Sequence, residues 1–148
     1  MTKIVRQPGW LSTTLATVFL AGVGVPLRAA DNHTHKCSVA TLNGDYAFYR
    51  AGSTPDGTLA ALGLIHFDGQ GNFHATQNIS RNGDYTFDLT FDGQYELADD
   101  CSGKGFQDGS EFVRLVVFRS GEGLYMFSES AGNAVYGVAN RTQESDGH

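Results

Sequence analysis

The chain has only two cysteines, Cys37 and Cys101, and they do not form a CxxC pair, which removes a thioredoxin-like redox motif from consideration. Cations are also scarce: 10 lysines and arginines face 16 acids, for a formal net charge of −6. Nucleic acid and anionic membrane surfaces are bound by clustered Lys and Arg that neutralise phosphate, so neither is an expected partner. Sustained apolar spacing of three and four is missing beyond the first thirty residues, which argues against a helical domain. GxSxG, HExxH and GK[ST] are absent, so no nucleophile elbow, zinc-protease helix or P-loop can be read. No cofactor is expected.

What is present begins with an export signal. Lys3 and Arg6 precede an apolar run that ends in Arg28-Ala29-Ala30, the layout of a secretory signal peptide over residues 1–30. Trp10 to Leu27 approaches spanning length, but Ser12, Thr13, Thr14, Thr17, Gly22, Gly24 and Pro26 interrupt it. No stable membrane span is therefore expected after cleavage. The removed piece carries Lys3, Arg6 and Arg28 and no acid, so the mature chain is three charges more acidic than the whole. What remains is the size of one domain with a single core. A secreted or periplasmic location is oxidising, and there Cys37 and Cys101 are expected to pair as a structural disulfide. Closing so long a loop contributes roughly 4 kcal/mol in the chain-entropy model.

After a polar leader (31–44), short runs rich in Tyr, Phe, Val and Thr alternate with glycine-containing breaks. The runs cover 45–50, 58–67, 72–80, 84–91, 94–98, 111–119, 124–130 and 134–140. Eight short strands with tight turns predict an all-β fold, a single eight-stranded antiparallel up-and-down barrel over 45–140 with one disulfide, followed by a polar tail over 141–148. Residues 98–110 read as a long loop.

One phrase occurs twice, as FDGQGNF at 67–73 and as FDGQ at 91–94. The spacing of acids and glycines fits neither an EF-hand loop nor a phosphate cradle. Folding the first copy about Gln70 sets Phe67 against Phe73 and His66 against His74, which predicts a hairpin. The second copy lacks the later glycine and is expected to mark a bend or bulge between two strands.

The facing histidines His66 and His74 are the metal candidates, although a closed site needs three or four ligands, so no metal is assigned. His33 and His35 form a second, terminal pair. For acid–base chemistry the candidates are Tyr46, Arg114 and Glu129. Strand alternation places Phe112, Arg114 and Val116 on one face and Glu111, Val113 and Leu115 on the other. If Arg114 points inward it needs a carboxylate such as Glu129; if it points outward it is a solubilising charge.

Taken together, Cys37, Leu42-Asn43-Gly44-Asp45-Tyr46-Ala47-Phe48, Phe67-Asp68-Gly69-Gln70-Gly71-Asn72, Gly93-Gln94-Tyr95 and Asp100-Cys101-Ser102-Gly103 resemble small exported bacterial proteins with an allene oxide cyclase barrel-like domain. The likeness covers most of residues 37–140. It implies a barrel of the calycin type, often with a cavity for an apolar ligand. Members related to the plant enzyme cyclise an unstable fatty-acid epoxide, mainly by holding it in one conformation, but no catalytic residue carries over. Three functions follow as expectations. The first is a barrel that binds a small apolar or amphipathic ligand, with no reaction implied. The second is a cyclase or isomerase of a hydrophobic substrate, using Tyr46, Arg114 and Glu129. The third is an envelope or extracellular interaction protein with a filled barrel, for which an outer apolar patch would also serve a homo-oligomer.

Overall fold

Alternating side chains and short turns do close into a barrel. The computed structural model describes residues 36–142; the signal-peptide reading of residues 1–30, His33, His35 and the tail beyond residue 142 lie outside the described residues. The strands are β1 (Asn43–Thr54), β2 (Gly57–Asp68), β3 (Asn72–Arg81), β4 (Asp84–Leu97), β5 (Ser102–Gln107), β6 (Ser110–Phe118), β7 (Gly123–Ser128) and β8 (Ala134–Arg141). Each is antiparallel to the next, and β8 pairs with β1 to close the ring. Among the described residues, no helix is long and apolar enough to cross a membrane.

The period of two decides what fills the interior. Along β3, Phe73, Ala75, Gln77 and Ile79 are buried while the residues between them face out. In β1 the inward set continues from Tyr46 and Phe48 to Arg50, and in β2 it comprises Leu59, Ala61, Ile65 and Phe67. The expected hairpin at 67–73 is present with Phe67 opposite Phe73 and His66 opposite His74. The Asp68 carboxylate holds its turn, accepting from the backbone N–H of Gln70 (2.7 Å) and Asn72 (2.9 Å) and from the Asn72 amide (2.7 Å). These bonds favour the ionised form and keep the Asp68 carboxyl below its ordinary range.

Two expectations are corrected. The second FDGQ phrase is not a break: β4 runs through it, and Gly93 lacks the positive φ of a turn. A Cβ on Gly93 would collide with the Phe73 ring and the Phe106 carbonyl oxygen, so this glycine permits a close approach inside the sheet. The bulge lies earlier in the strand, where the β3–β4 register shifts between Gln77 and Ile79; here Asp88 takes φ 54° and donates its N–H to the Asn78 side chain at 3.0 Å. The loop read at 98–110 also contains β5, paired to β4 through Gln94–Leu97 and to β6 along its length. Its Gly103 and Gly105 sit where a side chain would strike Glu96 and Val113.

One end of the barrel is sealed. The Cys37–Cys101 disulfide (Cα–Cα 5.0 Å, sequence separation 64) ties the segment before β1 to the β4–β5 turn. A 3-10 turn (Val39–Thr41) brings Leu42 under the barrel, fully buried with Tyr46 and next to Phe67 and Tyr95. Phe67 meets Tyr46 and Tyr95 edge-on, with ring centroids 5.3 and 5.0 Å apart, contacts worth about 0.5–1.5 kcal/mol each beyond area burial. Both hydroxyls are satisfied. That of Tyr46 lies 2.5 Å from the Gly121 carbonyl and accepts from Arg141 at 2.7 Å, and that of Tyr95 lies 2.8 and 2.9 Å from the carbonyls of Val39 and Leu42.

Candidate ligand-binding cavity

Above this base the inward side chains no longer meet. They leave a chamber of about 50 Å³ walled by Phe48, Ile65, Phe91, Phe112, Leu115, Leu124, Met126 and neighbouring residues. Toward the open end it adjoins two wider spaces, of about 230 and 340 Å³, that share Arg50, Arg81, Gln107 and Phe112 in their walls. The open end is bounded by the β1–β2, β3–β4, β5–β6 and β7–β8 turns, the base by the turns between.

Arg50 is the charged group common to the chamber and the mouth. The inward parity of Tyr46 and Phe48 brings its side chain into the barrel, where Nη2 donates to the buried Gln77 Oε1 at 2.8 Å. Its Nε is buried without a hydrogen-bond partner. Burial, followed by the Arg81 cation, pushes its pKa below the ordinary arginine value, yet a guanidinium stays charged in proteins. Among the described residues no carboxylate forms an ion pair with Arg50 or Arg81. Asp56 lines the outer mouth, and no carboxylate lines the chamber.

The three acid–base candidates are not brought together. Tyr46 lies in the sealed base, where burial raises its pKa and the nearby Arg141 opposes the rise. Arg114 is on the outer wall, bonded to Glu111 at 2.6 Å and to Glu129, while Lys104 reaches Glu111 at 3.0 Å. The Arg114–Glu129 partnership therefore exists outside the barrel. Glu111 joins that face because the register shifts between Gly105 and Phe106, so that Phe112 is extra and simple alternation fails. His66 and His74 also face outward, in a cross-strand row with Asp45 and Asp92; each Nδ1 lies 2.7 Å from its aspartate. Among the described residues no three His, Cys, Asp or Glu side chains converge as a ligand set.

Arg50, Gln77 and Arg81 escaped notice in the sequence. The signal available was parity: a cation two residues beyond Phe48 and four beyond Tyr46 shares their face. No protein-family description, curated protein or solved structure matches the chain.

Proposed function

We propose that the protein is an exported barrel that binds a small apolar or amphipathic molecule in its interior. The observation that carries this reading is the chamber itself, walled by aromatic and aliphatic side chains, sealed at the base and continuous with an open mouth. Small-molecule sites are typically such concave apolar spaces with a few placed polar groups. The disulfide suits an oxidising compartment. The resemblance to allene oxide cyclase barrel-like proteins is compatible with the closed eight-stranded ring. Because the chamber walls hold no carboxylate, imidazole, thiol or ammonium group, a cyclase or isomerase would have no general base there beyond confinement and the Arg50 cation, and carriage ranks ahead of it.

Native mass spectrometry of the protein from the exported fraction, set against the denatured sample, tests this reading. Mass that is lost on denaturation supports it. A bare protein mass that stays unchanged after incubation with a lipid and small-metabolite extract sinks it.

A second reading, self-association, rests on the outer wall. Leu62, Tyr49, Val138, Tyr125 and Val116 stand in one cross-strand row from β2 through β1, β8 and β7 to β6, and all but Val138 are more than half exposed. Such a continuous apolar stripe is suited to a second copy of the chain. Sedimentation velocity at tens of micromolar decides it: a pure monomer removes the reading, and a dimer lost in Tyr49→Ser/Tyr125→Ser supports it.

A further inference from the structure

We propose that the ligand is a compact amphipathic anion, held by its oxyanion on Arg50 with its apolar part in the aromatic chamber. This deepens the ligand-binding reading and rests on it.

Three observations converge on Arg50. Its guanidinium is only partly used, since Nη2 donates to Gln77 while the buried Nε has no partner. A charge withdrawn from water is normally paired, and here no described carboxylate pairs with it. The charged group that acts on it is instead another cation, Arg81, at the rim of the same mouth. Two like charges facing one opening, in a chain of net charge −6, concentrate positive potential where a ligand enters. Asp56 is an acid in the outer wall of the same mouth.

The chemistry of the acceptor follows from the donor. A guanidinium offers a planar fork that matches a carboxylate, with charge-assisted bonds roughly twice as strong as neutral ones. The apolar part is limited by space: about 50 Å³ accommodates roughly four water-sized groups. That suits a short branched chain, or the leading edge of an aromatic ring whose remainder lies in the wider spaces beside Phe112. It does not suit a long acyl chain enclosed to its full length.

Isothermal titration of the purified protein with phenylacetate and with phenylacetamide, its neutral isostere, tests the proposal; palmitate and inorganic phosphate are the remaining probes. The carboxylate is expected to bind about tenfold or more tighter than the amide, with affinity falling as salt rises. In Arg50→Met, and in Arg50→Gln as a second variant, that preference is lost while amide binding persists; thermal unfolding confirms that each variant folds. Phenylacetate and phenylacetamide binding alike, or a preference that survives both substitutions, overturns the anion site and leaves the ligand-binding reading intact. Phosphate binding as tightly as phenylacetate overturns the amphipathic part, and palmitate binding far more tightly overturns the size limit. If neither phenylacetate, its amide nor palmitate binds, the ligand-binding reading fails, and this proposal with it.

Discussion

Gly93 and Gly83 show that one residue type serves two different physical needs. Gly83 has φ +93° and open space around its Cα, so Gly83→Ala costs only backbone strain, about 1 kcal/mol. Gly93 has ordinary strand geometry but no room for a methyl group against Phe73 and the Phe106 carbonyl, so Gly93→Ala overpacks the interior by about 1–3 kcal/mol. Urea unfolding of the two variants should rank them in that order, and the reverse order would mean that the Phe73 ring moves aside freely. The tyrosines divide in a similar way. Tyr46 and Tyr95 are buried and their pKa values are raised, chiefly by desolvation, whereas Tyr49, Tyr85, Tyr125 and Tyr136 are exposed. A raised native pKa means that folding favours the protonated phenol. The corresponding stability is complete below the unfolded value near pH 10 and is lost as pH rises above it. Ultraviolet titration is expected to show that Tyr46 and Tyr95 ionise only above the ordinary tyrosine range or with unfolding; ionisation of both within that range in the folded protein would contradict the sealed base.

Legibility in the sequence differed from strand to strand. The hairpin of β2 and β3 could be read because a turn phrase and its flanking pairs, Phe67 with Phe73 and Ile65 with Ala75, supplied independent signals for one register. β4 was read as two strands because glycine in a strand and glycine in a turn look alike until the packing around them is known. β5, SGKGFQ, has the composition of a loop, and its pairing with β4 and β6 comes from tertiary context that overrides local propensity. The number of strands came out as eight because one false division offset one omission. The same strands set a difference in robustness along the wall. β1 and β2 pair at twelve positions, β4 and β5 at four, next to the disulfide-tied turn. Amide exchange of the β5 groups bonded to β4 is therefore expected to be faster than that of the β1–β2 ladder, and equal protection would argue that the short seam is not the weak one.

At the scale of the whole molecule, alternation and turn chemistry sufficed for a closed antiparallel barrel, because short connections leave few other topologies. The candidate site was less legible. Whether a cation on a mixed strand points in or out depends on bulges: the one beside Phe112 brings Glu111 to the Arg114 side, while Arg50 lies inside on an unbroken β1. The covalent tie is expected to matter to the whole fold. Removing it in Cys37→Ala/Cys101→Ala releases a constraint across 64 residues, and guanidinium unfolding should record a loss of roughly 4 kcal/mol. A loss well under 1 kcal/mol would mean that the base packing holds that loop unaided. The base also receives both ends of the described chain: Cys37 is fixed there by its bridge, and Thr142 by the hydrogen bond from its N–H to the Asp45 carbonyl at 2.8 Å. The described barrel thus has both of its ends at its foot, opposite the rim. A tether or fused partner attached at either end would hang from the underside, and the rim at Arg81 would face away from whatever holds it.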